Sequence, residues 1–401
     1  MLRLLDRGRK MKMESVLDII AKETSGKSYK TLKYSFEGIE VPRFDYDDVH
    51  KNFVWKAFGE NDHKKQIKNM KPLADELCTQ PPLFHYFLDG SRRAYKIDDI
   101  AYNNQVFPVI AGQVGVGCCV RENGNMGVLR DKNGTTLFER HIVVALPNKA
   151  RDSDWAEENS FEYIREQVNT LPLLKAHNIT INKIESYSTS VGEGDKIENK
   201  GIAVVQNYMT NREKDMVAEL VQHKFLDRER YLLKDGSLEY QVHNIKTDKE
   251  LRKFQNNYQF VVGAAKSFNP ANCKNGRDSN NSDKIAQLPL FYRTPVQMYE
   301  SEAIGNVRFA VWFVRIRDRK YTNNAFDGIL KLEKILVTDK EKESGLDTDE
   351  VDQITANIIN ERNPVCYGSD KRWANHLFPI YVTERFVKSQ YLGENFFLSL
   401  F

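Results

Sequence analysis

The stretch FHYFLDGSRRA, residues 84–94, joins an aromatic-rich apolar run to an aspartate, a glycine and two arginines. A short apolar run of this kind predicts a core β-strand, and we expect the strand to end at Asp89. The stretch RYLLKDGSLEY, residues 230–240, repeats the pattern, because its apolar run also ends in a DGS tripeptide, at residues 235–237. Two core strands that each end in a carboxylate are the feature from which the fold is predicted.

Gly90 and Gly236 follow the two aspartates. A glycine at such a position allows a sharp turn and leaves space for another group to approach the backbone. Aspartate and glycine are also common at ordinary strand-to-turn junctions, and this simpler explanation stays open.

The chain has 401 residues, of which 41% are hydrophobic and 29% are charged, with a formal net charge of +3. This composition predicts a soluble protein with a substantial core and no strong global field, so contact with DNA would need a local basic surface. Five cysteines without a CxxC pair favour a reducing, cytoplasmic compartment over a disulfide framework or a zinc site. No run of about 18 apolar residues occurs, so we expect no membrane span.

Three strands separated by turn sequences predict an antiparallel meander over residues 83–91, 106–122 and 139–147. A helix is predicted for residues 211–225, and the strand at 230–240 follows it directly. Residues 13–80 have mostly helical patterns. We therefore expect an N-terminal helical extension over residues 1–80 and one domain over residues 81–401, with an insertion around residues 147–210.

This order of elements is the layout of the ribonuclease H-like fold, an α/β fold with a mixed sheet flanked by helices. In that fold, carboxylates from the first strand, the first helix and the fourth strand converge at one edge of the sheet. Crowded carboxylates repel one another without a cation, and hard divalent metals take oxygen ligands. The pattern therefore predicts a site for one or two Mn²⁺ or Mg²⁺ ions.

The helix at residues 211–225 offers several acidic candidates for this site. Asp215, Glu219 and His223 share one face at i, i+4 spacing, and Glu219 lies beside the apolar stripe. We expect Glu219 to point at the sheet edge, with Glu213 as the substitute if the helix has a different phase. A solvated glutamate on an amphipathic helix is the alternative for Glu219.

The residues resemble the NurA nucleases, which work with the hexameric ATPase HerA in processing DNA ends and in defence against phage. The resemblance covers residues 84–391 and is carried by the order of five short motifs. These are FLDGS at 87–91, the acidic helix at 212–219, LLKDGSL at 232–238, FVVGAAKSF at 260–268 and FPIYVTERF at 378–386. It implies a ribonuclease H-like core, a homodimer or higher assembly, and manganese-dependent cleavage of DNA.

The resemblance also implies roles for single residues. Asp89 and Asp235 match the two family aspartates, and Glu219 is the best match to the acidic position on the helix. The last helix of the family usually offers Ala-His where this chain has Thr383-Glu384, so Glu384 is retained as a fourth metal ligand. Lys266 would lie near the scissile phosphate, although a surface lysine after a strand is the alternative.

Four arginines are candidates for DNA binding. Arg92 and Arg93 follow the first aspartate, and a guanidinium group matches phosphate oxygens in a bidentate manner. Arg315 and Arg317 belong to the strand-like stretch RFAVWFVRIRD at 308–318, which would track DNA with one basic face. Basic residues that discourage pairing of an exposed sheet edge are an equal explanation for the second pair.

The glycine-rich stretch GQVGVG at 112–117 lacks the features of a nucleotide-binding loop, and no GxxxxGK[ST] motif occurs in the chain. ATP hydrolysis would therefore come from a HerA-like partner. The leading hypothesis is a metal-dependent DNA nuclease. Two alternatives remain, a catalytically inactive adaptor that assembles with the ATPase and another ribonuclease H-like nuclease; the adaptor is motivated by the departure at Glu384.

Overall fold

A single mixed β-sheet with helices on both faces dominates the computed structural model. The structure describes residues 14–36, 52–56, 58–62, 66–151, 160–190, 192, 195–238, 247–270, 273, 280–301, 307–322, 324–362 and 373–401. The strands in these residues are β1 (Lys27–Tyr29), β2 (Tyr34–Ser35), β3 (Asn52–Lys56), β4 (Lys68–Asn69), β5 (Phe84–Tyr102), β6 (Gln105–Glu122), β7 (Asn125–Val128), β8 (Phe138–Pro147), β9 (Lys183–Tyr187), β10 (Tyr231–Asp235), β11 (Val261–Ala265), β12 (Tyr292–Arg293), β13 (Gln297–Ser301), β14 (Arg308–Arg315) and β15 (Ile329–Ile335). The helices are α1 (Val16–Glu23), α2 (Lys71–Leu77), α3 (Ser160–Val168), α4 (Pro172–Ala176), α5 (Ile197–Gln222), α6 (Asp248–Asn257), α7 (Ser282–Ala286), α8 (Asp339–Ser344), α9 (Thr348–Asn360), α10 (Phe378–Ser389) and α11 (Glu394–Ser399).

The strand order from one edge of the sheet to the other is β9-β8-β6-β5-β10-β11-β15-β14-β13-β3. Strands β5, β6 and β8 form the predicted antiparallel meander. Strand β10 runs parallel to β5, and β11 runs parallel to β10. Three antiparallel strands followed by two parallel ones, in this spatial order, define the ribonuclease H-like sheet, so the predicted fold class is confirmed.

The parallel strands β10 and β11 lie at the centre of the sheet and are buried along most of their length. Parallel strands need cover on both faces, which explains why their sequences, YLLKD and VVGAA, are nearly continuous apolar runs. Helix α5 covers one face of the sheet, over β5, β6 and β8, with its buried stripe, which contains Ile202, Val205, Met209, Met216, Val217 and Leu220. Helix α10 covers the other face beneath β5 and β6.

Three glycines of β6 allow these two helices to approach the sheet. A Cβ atom on Gly112 would lie 2.3 Å from Cγ1 of Val205 in α5. A Cβ atom on Gly115 or Gly117 would lie 2.7 or 3.0 Å from methyl carbons of Val387 in α10. Residues an odd number apart in a strand face opposite sides, so the stretch GQVGVG packs helices on both faces of the sheet.

We expect Gly112→Ala to destabilise the protein by about 1–3 kcal/mol, because the added methyl group overpacks the contact with Val205. Urea denaturation would measure the difference. Gly127→Ala in β7 is the matched control, since nothing lies within 4 Å of its added Cβ atom. A surface change of that kind should alter stability by less than about 0.5 kcal/mol. Equal effects of the two substitutions would contradict this packing role for Gly112.

The sequence predicts that β5 ends at Asp89, and this prediction is wrong. The strand continues to Tyr102, because β6 pairs with it in an antiparallel ladder from Tyr86 to Tyr102. Asp89 therefore lies inside a long strand, at the point where the shorter parallel neighbour β10 leaves the sheet. Of the two glycines, Gly236 makes a turn with a φ of +82°, whereas Gly90 lies within β5.

The expectation of a mostly helical N-terminal part is wrong for the residues that the structure describes. Besides α1 and α2, this part contains β1 to β4, and all four strands join the main sheet. Pro72 lies in the first turn of α2, where the backbone N–H that proline lacks would have no partner within the helix. Whether residue 80 is a domain boundary stays a prediction.

Helix α5 begins at Ile197, so residues 197–210 of the predicted insertion are the first half of this helix. Its second half is tied to β8, because the guanidinium group of Arg212 donates two hydrogen bonds of 2.7 Å to Glu139. Among the described helices, none combines the length and the apolar character needed to cross a bilayer.

Candidate active site

Three carboxylates from three separate elements meet on one face of the sheet. They belong to Asp89 in β5, Asp235 at the end of β10 and Glu384 in α10. One carboxylate oxygen from each residue lies within 4.8 Å of the others. Oxygen ligands at this spacing are the donors that Mg²⁺ and Mn²⁺ prefer.

The sheet topology explains why the two aspartates are neighbours. Lys234 of β10 is in register with Leu88 of β5, so the next residues, Asp235 and Asp89, lie side by side. Both side chains point to the same face because paired residues of adjacent strands share a face. Gly236 then turns the chain out of the sheet, which places Asp235 at its edge.

Glu384 reaches the two aspartates from α10. This helix begins after Leu377 and carries Pro379 in its first turn, where proline is favoured. Val387, one turn beyond Glu384, packs against Gly115 and Gly117 of β6. The close approach of helix and sheet brings the Glu384 carboxylate within reach of the strand carboxylates.

Two lysines partly balance the negative charge. The Nζ atom of Lys266 donates a 2.9 Å hydrogen bond to Asp235 and lies 3.6 Å from a Glu384 oxygen. The Nζ atom of Lys388 donates a 2.7 Å hydrogen bond to the other Glu384 oxygen. Lys266 is held by its backbone, because Asn375 Nδ2 donates a 2.6 Å hydrogen bond to its carbonyl oxygen.

Asp89 is only 4% exposed. Burial raises the pKa of Asp89 well above its usual range, the charge of Asp235 raises it further, and Lys266 opposes the rise. Burial alone would lower the pKa of Lys266, but the carboxylates of Asp235, Glu384 and Asp89 outweigh burial and raise it. The charge of Asp89 is thus incompletely compensated by the protein groups around it, and a divalent cation would supply that compensation. The donor set therefore fits Mn²⁺ or Mg²⁺.

Glu219 is not part of this cluster. Its side chain is 43% exposed and lies 3.8 Å from the ring of His223, near the C-terminal end of α5. The expectation that Glu219 would point at the sheet edge is wrong because the predicted helix face is the solvent face. Asp215, on the same face, is also exposed.

Glu213, the substitute candidate, is buried against the sheet behind the cluster. Its carboxylate lies 3.0 Å from the Nζ atom of Lys234, and a Cβ atom on Gly90 would meet it at 2.4 Å. Gly90 and Lys234 are the strand neighbours of Asp89 and Asp235, so they face the opposite side of the sheet. Burial alone would lower the pKa of Lys234, but Glu213 raises it above its usual range.

Arg92 and Arg93 lie on opposite faces of β5, as strand alternation requires. Arg93 is on the face of Asp89, and its guanidinium group lies 5.2 Å from the centre of the Tyr391 ring. Arg92 is on the α5 face and donates a hydrogen bond to Gln206. Of the two, only Arg93 therefore shares the face of the carboxylate cluster, and its contact with DNA stays a prediction.

Arg315 and Arg317 do not form an exposed basic face, so that expectation is wrong. Arg315 is 1% exposed and donates hydrogen bonds to backbone oxygens that include those of Leu288 and Ala286. Strand β14 is buried on both faces, so its arginine points into the protein. The buried guanidinium group of Arg317 lies 5.0 Å from the centre of the Trp373 ring.

Three residues near the cluster were not identified from the sequence. Lys388 follows Glu384 at i+4, and this spacing is a usable signal for an ion pair. Lys234 directly precedes Asp235, but local sequence could not show that it is buried. Tyr391 packs beneath β5 and β6, and burial raises its pKa.

The chain is similar to the crystal structure of the NurA nuclease from Sulfolobus solfataricus, over 86% of this chain and 92% of that chain, at 11% sequence identity and a TM-score of 0.38. No protein-family model matches the chain, and no curated protein matches it. At this identity and TM-score, the functional case stands on the geometry of the side chains alone.

Proposed function

We propose that this protein is a metal-dependent nuclease of the NurA type that hydrolyses phosphodiester bonds in DNA. The observation that carries the proposal is the convergence of Asp89, Asp235 and Glu384, whose carboxylate oxygens lie within 4.8 Å of one another. The three residues come from distant parts of the chain and meet on a ribonuclease H-like sheet beside a buried lysine, Lys266.

Asp89, Asp235 and Glu384 would hold one or two Mn²⁺ or Mg²⁺ ions. A divalent cation bound there supplies Lewis-acid stabilisation of the phosphate charge and acidifies bound water. Lys266 holds Asp235 and Glu384 together and offers an ammonium group to a phosphate oxygen. Arg93, on the same face of β5, would bind a neighbouring phosphate of the DNA backbone.

We further propose that a HerA-type hexameric ATPase delivers DNA to this site, in DNA-end processing or defence against phage. The support is indirect: the sequence has no GxxxxGK[ST] motif, so a motor would have to be another chain. A homodimer or higher assembly and a cytoplasmic location complete the proposal. The cytoplasmic location is supported by the buried thiols of Cys118 and Cys119, which form no disulfide.

Metal binding tests the proposal directly. We expect Mn²⁺ to raise the melting temperature, because a ligand at 100 times its Kd stabilises the native state by about 2.7 kcal/mol. The combined variant Asp89→Asn, Asp235→Asn, Glu384→Gln should lose this shift, and Glu219→Gln, outside the cluster, should keep it. A chelator should reverse the shift in the wild-type protein. Equal shifts in the combined variant and the wild type would contradict the assignment.

The second candidate function is a catalytically inactive adaptor that assembles with the ATPase. It is favoured by the lysines, because Lys266 and Lys388 already place two positive charges against the carboxylates. An adaptor of this kind would show neither stabilisation by Mn²⁺ nor cleavage of DNA. The two measurements together therefore separate the two candidates.

A further inference from the structure

A buried carboxylate in β15 holds the turn that follows Asp235. Glu333 is fully buried, with 0% exposure, and its Oε2 atom accepts two hydrogen bonds. One comes from the Ser237 hydroxyl at 2.8 Å, and the other comes from the backbone N–H of Leu238 at 2.6 Å. The Nζ atom of Lys331 lies 2.8 Å from its second oxygen, Oε1.

The turn reaches Glu333 by crossing over β11 at a residue without a side chain. Glu333 is in register with Gly263, which is in turn in register with Lys234 of β10. A Cβ atom on Gly263 would lie 2.7 Å from Cγ of Leu238 and 3.0 Å from the carbonyl oxygen of Gly236. The missing side chain thus gives the turn a path across the sheet to Glu333.

Both ends of the turn are fixed. The N–H of Gly236 donates a 3.0 Å hydrogen bond to the carbonyl oxygen of Ala264, and Leu238 is completely buried. Gly263, Lys234 and Glu333 share the α5 face of the sheet, whereas Asp235 points to the opposite face. Glu333 therefore acts on Asp235 through the backbone and does not touch the carboxylate cluster.

We propose that Glu333, through Ser237 and the Leu238 N–H, is a positioning residue that sets the place of the Asp235 carboxylate. This inference rests on the proposed function, because the exact position of the Asp235 carboxylate matters only if Asp235 binds a cation. It also explains the tripeptide at 235–237: aspartate is the ligand, glycine makes the turn, and serine donates to Glu333. A partner that orients a ligand typically changes metal affinity or activity by about 10- to 100-fold when it is lost.

The test uses the full chain with Ser237→Ala and Glu333→Gln, and with Ser237→Thr, which retains the hydroxyl. Two quantities are measured, namely hydrogen exchange of residues 233–238 without metal and the dissociation constant for Mn²⁺ by calorimetry. We expect Ser237→Ala and Glu333→Gln to speed exchange in the turn and to weaken Mn²⁺ binding about 10-fold. Ser237→Thr should restore both quantities to near the wild-type values.

Thr355→Val is the control for a general loss of stability. Thr355 is also fully buried, and its hydroxyl accepts a 2.9 Å hydrogen bond from Trp312. Both residues are far in sequence from the turn. We expect this variant to leave both the exchange of residues 233–238 and Mn²⁺ binding unchanged. If Ser237 had a purely structural role, Ser237→Ala would have the same effects on hydrogen exchange and on Mn²⁺ binding as Thr355→Val.

Two results would overturn the inference. Unchanged exchange in Ser237→Ala and Glu333→Gln would show that Glu333 does not hold the turn, whatever the function of the site. Faster exchange with unchanged Mn²⁺ affinity would show that the turn does not position Asp235, and the proposed nuclease would stand. Absence of Mn²⁺ binding in the wild-type protein would overturn the proposed function itself, and the positioning role would fall with it.

Discussion

Asp235→Asn and Asp89→Asn are each expected to lower Mn²⁺-dependent cleavage of DNA by more than about 100-fold. This exceeds the usual effect of losing a group that merely orients a ligand, because each aspartate would bind the cation itself. The amide side chain has nearly the same shape as the carboxylate, but it is neutral and a weaker ligand. The measurement is the rate of release of labelled nucleotides from single- and double-stranded DNA as a function of Mn²⁺ concentration.

Asp89→Asn should also have a characteristic effect on the unfolding temperature. The buried carboxylate of Asp89 has a raised pKa, so its charge opposes folding when no cation is present. We therefore expect the Asn variant, without metal, to unfold at the same temperature as the wild type or at a higher one. Loss of activity without loss of stability would identify a functional carboxylate, a trade-off that is common at active sites.

Glu219→Gln is the matched control, since it neutralises a carboxylate of α5 that lies outside the cluster. It should cleave DNA at the wild-type rate. If the double variant Asp89→Asn, Asp235→Asn digested DNA as the wild type does, the assignment of the site would be wrong.

The second large effect concerns the buried ion pair between Glu213 and Lys234. Both side chains are almost fully buried, and their charged atoms are 3.0 Å apart. Lys234→Met should destabilise the protein by about 3–5 kcal/mol, because it leaves the carboxylate of Glu213 buried without its partner. Chemical denaturation monitored by circular dichroism would measure this change.

Replacing both partners should cost much less than replacing one. In Glu213→Leu, Lys234→Met, no charge remains buried at this position, and apolar replacements of a buried pair are often close to neutral. Lys71→Met provides the comparison with an exposed pair, since Lys71 and Asp75 are 55% and 63% exposed. Its effect should stay below about 1 kcal/mol. A loss in Lys234→Met no larger than in Lys71→Met would refute the role of the buried pair.

The central sheet was predictable because its strands carry the strongest local patterns. The three meander strands are separated by short, polar turn sequences, and a predicted helix directly precedes the strand that ends in the second DGS motif, so the order of elements already indicates the ribonuclease H-like layout. The same order places Asp89 beside Asp235, and the structure also brings Lys266 and Glu384 to them. Their chemical roles remain predictions that the variants above will test.

The length of β5 was not predictable from its own residues. Asp and Gly are depleted in strands, so the sequence DGS at 89–91 indicates an end. The strand continues because β6 supplies a pairing partner along its whole length, and such a partner overrides local propensity. The short strands β1 to β4 were missed for the same reason, since their partners lie in other parts of the chain.

The choice between Glu213 and Glu219 depended on the phase of α5. Six residues at about 100° per residue put the two side chains on different faces of the helix. The apolar stripe of α5 begins at Gly201 and Ile202, in a segment that the sequence analysis assigned to an insertion. A predicted helix that included this segment would have placed Glu213 on the buried face.

Arg315 was misjudged because alternation in a strand does not show which face is covered. Residues 309–315 of β14 are all buried, so the strand has no solvent face on which an arginine could meet DNA. Its guanidinium group instead satisfies backbone oxygens near Leu288 and Ala286. Burial on both faces depends on strands and helices that are distant in sequence.

The pairing of β3 with β13 has a consequence for synthesis on the ribosome. Residues 52–56 find their sheet partner roughly 240 residues later in the chain. At about 5–20 residues per second, this partner leaves the ribosome between about 12 and 50 s after β3 does. During that interval, β3 lacks its native partner, and the nascent chain must keep it from pairing with other strands. Completion of this end of the sheet is therefore a late event, coupled to synthesis of the C-terminal third of the protein.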